Sequence, residues 1–483
     1  MKDIESSTTH SGTTFKGKVP MGQKIAFGLG MLANQMFPAA LVIFVIVLVQ
    51  DLGFAAFLWG VIQFAPRIFD AITDPIMGYI SDNTKSKWGR RRAYIFIGGI
   101  IMGIAYIIMW QLYKDNGVTF NFIYFFGWSL VFYLGLTIFS VPYVAMGYEM
   151  TDDFHERTQI MAVAQFIGQW AWVIVPLFWL ILYDPNWFPS ADVGVRKLAI
   201  WVAIPCTILA IIPAIFIKSE STLHRDDFLP IKAKNVIGSL GKIFTSAIQA
   251  FKVPQFRKIS IATFLIFNSF NVIAAFSFLI IVHYLFSSDA AAAVPWPTLH
   301  GVVGSLISAF IVIPVVATMA KKIGKKKTFI ISQCISVIGY ILFWFLFIPG
   351  KPYLFLIALP FHSFGIGGLF TVMMSMTADV CDLDELNTGQ RREGTLGAVY
   401  WWMVKVGYGV AALLGGLILW IVGFDAENVT QTSVTGMRMF YSLLPIAGVL
   451  GAIWVMRDYD IDEAKAEQIR LQLKEKAELN TQS

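Results

Sequence analysis

Residues 56–92 read AFLWGVIQFAPRIFDAITDPIMGYISDNTKSKWGRRR. The apolar part is long enough to cross a bilayer, which takes about 20 residues as helix. It ends in a polar turn closed by Arg90, Arg91 and Arg92. An apolar helix that runs into a basic turn reads as a membrane span ending on the Lys- and Arg-rich side. The same helix carries Arg67, Asp70 and Asp74. An ionisable group at mid-bilayer costs about 2.5–3.5 kcal/mol on insertion scales, so each of the three asks for a function.

The rest of the chain follows the same pattern. Of 483 residues, 57% are apolar and 14% charged, with a mean hydropathy of +0.66. A soluble domain carries about 25% charged residues. The composition excludes a soluble enzyme, a disordered chain and a fibre. Twelve apolar runs are long enough to span, near 24–50, 53–80, 93–113, 120–148, 159–182, 197–217, 259–286, 300–320, 328–348, 353–378, 394–423 and 437–456. The predicted organisation is a polar segment 1–23, a six-helix unit 24–217, a polar loop 218–258, a second six-helix unit 259–457 and a tail 458–483. With the N-terminus assigned to the cytoplasm, thirty of the 37 Lys and Arg residues fall on the cytoplasmic side and five on the other. Arg67 and Lys405 stay inside the membrane. That alternation predicts a multi-pass cytoplasmic-membrane protein with both termini inside. It also accounts for the net charge of +6 without a nucleic-acid partner.

The two units echo each other. Gly89-Arg90-Arg91-Arg92 follows the second run of the first unit, and Gly324-Lys325-Lys326-Lys327 follows the second run of the other. A duplicated six-helix unit leaves such a trace, and repeats of this kind are typical of secondary transporters. In the central loop, Val236, Leu240, Ile243, Phe244, Ala247 and Phe251 recur at helical spacing and predict a surface amphipathic helix. The tail mixes both charge signs and reads as a solvated helix. Met1–Gly22 has no apolar core of a cleavable signal. Cys206, Cys334 and Cys381 form no CxxC pattern, and the first two read as packing residues inside apolar runs.

Arg67, Asp70 and Asp74 are spaced three and four apart and share one helical face, with Gln63 one turn earlier. Pro75 follows Asp74 and weakens the bond to the carbonyl four residues back. Two carboxylates, a freed carbonyl and the hydroxyl of Thr73 make an oxygen-rich site for a small cation. Unpaired carboxylates this close would repel until a cation or a proton sat between them. Lys405 needs an acid or a polar cavity too, so its face of helix 11 is expected to point at helix 2. Its neighbours Trp401, Trp402 and Tyr408 can stack on a sugar ring. Asn34, Gln35, Thr137, Ser140, Gln165, Gln169, Trp172, Asn268 and Asn271 are the other polar or amphipathic residues inside apolar runs. Singly, such residues most often bond helix to helix. His362 stands alone and reads as core. The acidic run Glu149, Asp152, Asp153, His155 and Glu156 reads as a solvated loop.

The segment from Arg67 to Arg92 resembles the glycoside–pentoside–hexuronide:cation symporters, the melibiose permease family of the major facilitator superfamily. Asp379-Val-Cys-Asp382, Arg391-Arg392-Glu393-Gly394 and Lys405 resemble it as well. The resemblance implies an all-α membrane fold of twelve transmembrane helices in two pseudo-symmetric six-helix bundles, with alternating access driven by Na⁺, H⁺ or Li⁺. It implies Asp70 and Asp74 as cation ligands with Thr137, and Arg67 and Lys405 as conformational or substrate-site charges. It implies Gly78, Asp82, Gly89, Arg90, Arg91 and Arg92, with Asp379 and Arg391, as a conformational latch. The chain departs from the melibiose type where that type has sugar-binding acids, here Gln35 and Ser140. It departs again at the helix 5 arginine, here Gln165, and at an aromatic position, here Val144.

The expectation is a cation-coupled symporter of a sugar-like solute, a glycoside, oligosaccharide or hexuronide. Thr73, Asp70, Asp74 and Thr137 would hold the cation. Gln35, Arg67, Ser140, Gln165, Gln169, Trp401 and Lys405 would meet the solute. A lysolipid transporter of the same fold is the alternative. No HExxH, GxSxG, P-loop or filter repeat suggests an enzyme or a channel. No cofactor is expected beyond the coupling ion Na⁺ or H⁺, and a monomer in the lipid bilayer needs no partner chain.

Overall fold

A computed structural model of the chain describes residues 18–483 apart from 152, 220, 224–230, 232–237, 239, 240, 242–244, 246, 390–392 and 483. Eleven of its helices are long and apolar enough to cross a membrane. The twelfth is the helix quoted first, Ala56–Asp82, whose charges lower its hydropathy. In chain order the spans are α1 Met21–Gln50, α2 Ala56–Asp82, α3 Arg92–Met109 and α4 Val118–Glu149. Next come α5 Phe154–Ile174, prolonged by Val175–Leu177 and Phe178–Leu182, and α6 Ala191–Phe216. The second six are α7 Pro254–Leu285, α8 Ala290–Ile323 and α9 Lys325–Leu346, then α10 Leu359–Thr388, α11 Glu393–Ile421 and α12 Gln431–Arg457. The tail is α13, Glu463–Gln482.

The packing repeats. In the first half α1 packs on α5 and α6, α3 on α4 and α6, and α2 on α4. In the second half α7 packs on α11 and α12, α9 on α10 and α12, and α8 on α10. Glycines set the tightest crossings, as between membrane helices generally. A Cβ on Gly98 would stand 2.4 Å from the Phe139 backbone nitrogen, and one on Gly339 would stand 2.4 Å from that of His362. These are the matching α3–α4 and α9–α10 crossings. Two six-helix bundles with the same internal wiring follow from this.

The halves meet along α2–α11 and α5–α8. Their close contacts gather at the end opposite the basic loops. A Cβ on Gly416 would lie 2.7 Å from the Gly60 Cα. Trp179 stacks on Phe278 with centroids 4.0 Å apart. Ser305 donates to the Trp172 carbonyl at 3.1 Å, and His283 Nε2 bonds Gln50 Oε1 at 3.0 Å. Beside this seal, Asp51 accepts a bond from the Tyr183 hydroxyl at 2.8 Å. Burial lifts the Asp51 carboxyl to about 6, against the pull of that bond and of Lys114. That end of the bundle is closed.

Several expectations change. The tail is not a solvated helix. Tyr459, Ile461, Ala466 and Ile469 are buried in one core with Met376, Val380 and Cys381 of α10. α10 itself stays helical to Thr388 before a left-handed Gly389 at φ 70°, so Asp379 and Asp382 sit on a helix and not in a loop. In the acidic run, Glu149 pairs with Arg90 and Arg91. Glu156 pairs with Lys24 at 2.7 Å with both side chains 6% exposed. His362 is not alone: it stacks on Phe270 and lies 6.5 Å from the His300 ring. Cys334 is on the helix exterior. Of the central amphipathic pattern, Val236, Leu240, Ile243 and Phe244 lie outside the described residues, whereas Ala247 and Phe251 pack on the second-half core.

Candidate functional site

α2 runs from the closed end to the basic end, so its charges lie at successive depths. It remains helical through Pro66 and Pro75. Asp70 is 2% exposed as a side chain and Asp74, one turn nearer the basic end, 24%. Access therefore increases towards the basic loops. The Thr137 hydroxyl of α4 lies 2.8 Å from Asp70 Oδ1 and 3.1 Å from Asp74 Oδ1, donating to one at a time. Thr73 lies 3.0 Å from Thr137. Its hydroxyl also reaches back to the Phe69 and Asp70 carbonyls at 3.1 and 3.2 Å, so it bonds its own helix and borders the carboxylates only through Thr137.

Lys405 crosses the seam from α11. Its Nζ stands 2.9 Å from Asp70 Oδ2 and also pairs with Asp74 Oδ2. One ammonium sits on two carboxylates, and the hydroxyl of Thr137 joins their other oxygens. The charge balance of this group is minus one. Removing either partner from such a buried set costs about 3–5 kcal/mol, because the remaining charge is left uncompensated.

Arg67 is separate from this group. Its guanidinium carbon lies 5.1 Å from the Tyr133 ring centre and 5.2 Å from that of Tyr408. No carboxylate pairs with it among the described residues. It lines a cavity between the halves with Gln63, Ser129, Tyr133, Asn271 and Tyr408. The Gln63 side-chain nitrogen is buried there without a hydrogen-bond partner. A guanidinium set among aromatic rings without a carboxylate keeps most of its planar fork of donors for an anion. Asn271 lines the cavity while its amide nitrogen donates to the Phe267 carbonyl at 2.8 Å. The amide of Asn268 is likewise turned to its own helix.

The remaining expected solute residues divide. Gln35 donates to Gln165 at 3.0 Å and accepts from the Trp172 indole at 2.9 Å. These three form one amide–indole cluster between α1 and α5. Gln169 and Trp401 are exposed, and no described contact brings either to that cluster or to Lys405. Ser140 is half-buried on α4, with no side-chain hydrogen bond among the described residues. Tyr133 and Ser129 are absent from the residues expected at the site. Two polar residues one turn apart within a long apolar helix were their only mark in the sequence.

The expected latch residues bond inside their own half. Arg91 donates to Ser81 at 2.6 Å and pairs with Asp82 and with Glu149 at 2.7 Å. Arg90 pairs with Glu149 at 2.6 Å. Arg92 caps α6 through the Ala214 and Ile215 carbonyls at 2.5 and 2.9 Å. Gly89 has φ 83°, which turns the loop into α3. Gly78 faces Val141 of α4, where a Cβ would make an ordinary contact at 3.8 Å. In the second half Asp379 takes Lys325 at 2.5 Å. Arg391 lies outside the described residues.

A family model described as MFS/sugar transport protein matches residues 26–463. An uncharacterized symporter of Synechocystis is 26% identical over 544 residues, covering 96% of this chain and 98% of its own length. A glucuronide carrier protein homolog of Escherichia coli is 25% identical over 470 residues, covering 95% and 96%. Among solved structures, the inward-open xylose transporter XylE from E. coli shares the fold. Its TM-score is 0.61 at 16% identity, with 93% of this chain and 99% of that one covered.

Proposed function

The chain belongs to the MFS/sugar transport protein family, and from that premise we propose that it is a cation-coupled symporter of a sugar-like solute. It works by alternating access across the cytoplasmic membrane, with both termini in the cytoplasm. The observation that carries this reading is the single ammonium of Lys405 on Asp70 and Asp74. In the outward-closed form, Lys405 stands where a Na⁺ ion or a proton would offset one of the pair's two charges. Entry of the coupling ion from outside displaces Lys405 from the carboxylates. That links ion occupancy to the α2–α11 seam, because the carboxylates belong to one half and the ammonium to the other. Release of the ion towards the basic face lets Lys405 return, and the empty carrier reorients with its charges paired.

The solute site in this reading is the cavity around Arg67 together with the Gln35–Gln165–Trp172 cluster. Amides, hydroxyls and aromatic faces suit a polyhydroxyl ring. The unpaired guanidinium of Arg67 favours a solute with an acidic group, such as a hexuronide. The likeness to a glucuronide carrier homolog supports the same choice. Thr137 borders the cation with Thr73 behind it, and the Arg90–Arg91–Glu149 and Lys325–Asp379 pairs are the latches that rearrange as the halves rock.

The test is uptake into proteoliposomes of a panel of neutral and acidic sugars, under a Na⁺ gradient and under a pH gradient. Accumulation of an acidic sugar under one gradient is expected. Competition by lysolipids and none by sugars would turn the reading to a lipid carrier.

A further inference from the structure

The two halves treat their latch carboxylates differently. At the basic end of α4, Glu149 takes two cations, Arg90 and Arg91, both from the turn before α3. At the matching end of α10, Asp379 takes Lys325 from the start of α9 at 2.5 Å. Its second cation comes from the tail: Arg470 of α13 is 3.1 Å away and also lies 3.8 Å from Asp382. The tail thus supplies what the loop supplies in the first half. Asp379 is 6% exposed as a side chain, so its pairing is worth more than an exposed pair of the same length.

The tail is built to reach that point. After α12, Lys258 donates to the Asp458 carbonyl at 2.5 Å and Gln255 to Asp460 at 3.0 Å. Tyr459 and Ile461 are buried there. These contacts turn the chain back under α7. Ala466 and Ile469 then face the second-half core. Ile469 immediately precedes Arg470, so the buried anchor sets the arginine against α10.

We propose that α13 is a clasp for the outward-closed form, with Arg470 as its positioning residue. The inference rests on the alternating-access reading above. For the basic face to close, the ends of α4 and α10 must approach across the seam and their latch groups must exchange partners. An Asp379 held by Arg470 is withheld from that exchange. Arg470 competes for a latch carboxylate and biases the carrier towards the form closed outside.

The experiment uses the full chain with Cys206, Cys334 and Cys381 replaced by Ser, and Ser129→Cys as reporter. Ser129 lines the cavity beneath the closed outer seal. A charged, membrane-impermeant maleimide added outside reaches it only when the outer face opens. Arg470→Ala is expected to raise the labelling rate about threefold, the effect of one partly exposed pair on a two-state balance. Arg470→Lys is expected to fall between, and the double swap Arg470→Asp with Asp379→Arg to return towards the starting rate. A purely structural role would lower the yield of folded protein and leave the rate per folded molecule unchanged. Labelling that is measurable in the reporter but equal in Arg470→Ala and Arg470→Lys overturns the clasp. A reporter never labelled from outside in a protein that still accumulates solute instead overturns the alternating-access reading of this cavity.

Discussion

α2 and α8 occupy matching places in the two halves, each packed on the fourth helix of its own half and each forming part of the seam. They are chemically unlike. α2 carries Arg67, Asp70 and Asp74, whereas α8 carries no carboxylate from Ala290 to Ile323. Near its middle stand His300, Ser305 and Ser308, and Ser305 bonds a backbone carbonyl across the seam. Symmetry therefore builds the bundle, and its absence puts the intramembrane carboxylates on one side. The second half contributes a single charge to the pair, Lys405. In the proposed coupling, a cation on these carboxylates would report its presence to the other half through that one contact.

The largest test of this contrast is a pair of substitutions. Asp74→Asn in α2 is expected to lower gradient-driven uptake about a hundredfold or more, the scale of a broken buried pair. Ser308→Ala in α8 is expected to change it less than about twofold. Comparable losses in both would remove the asymmetry.

The seam gives the next effect. A Cβ on Gly416 meets the α2 backbone at 2.7 Å, while one on Gly304 of α8 meets only a Leu359 methyl at 4.0 Å. Gly416→Ala is expected to slow uptake about tenfold and to increase outside labelling of the Ser129→Cys reporter. Gly304→Ala is expected to leave both near the parent values. The steric difference is between displaced backbone and an ordinary contact.

Arg67→Lys keeps the charge but loses the planar fork. It is expected to cut uptake of an acidic sugar several-fold, about 1 kcal/mol or more, with less effect on a neutral one. Equal losses for both would make Arg67 a conformational charge only.

The smallest effect concerns pH at the outer seal. Burial in the closed form raises the Asp51 carboxyl from 3.8 to about 6. A proton therefore binds the closed form more tightly than a form that exposes Asp51. The closed share rises as pH falls through 6, and the gain is complete below 3.8. Outside labelling of the reporter is expected to slow about two- to threefold between pH 7 and about pH 5.7, and to lose that slope in Asp51→Asn.

Much of the architecture is legible in the residues because lipid admits few alternatives. Each apolar run must be a helix, and Lys and Arg mark one side. The intramembrane charges of α2 and α11 stand out for the same reason, and the structure joins Asp70, Asp74 and Lys405 as their cost in lipid demands. What was hidden depended on contacts between distant segments. Tyr133 is an unremarkable aromatic, and Tyr408 reads only as a neighbour of Lys405, until α4 and α11 bring both rings to Arg67. The tail looks solvated because its apolar residues are few, yet Tyr459, Ile461, Ala466 and Ile469 suffice to dock it. Glu149 and Glu156 look like loop acids until Arg90, Arg91 and Lys24 fold onto them. Gln169 and Trp401 show the reverse, since residue types suited to a sugar do not by themselves fix where a side chain faces.

In the proposed mechanism, coupling of a cation to solute movement runs from Asp70 and Asp74 through Lys405. Its most direct test is accumulation of the preferred sugar by proteoliposomes under an inward Na⁺ or H⁺ gradient, parent against Asp74→Asn, with folded protein measured in each. Gradient-dependent accumulation is expected in the parent, and none above equilibrium in Asp74→Asn. Accumulation by Asp74→Asn at the parent's level would contradict it.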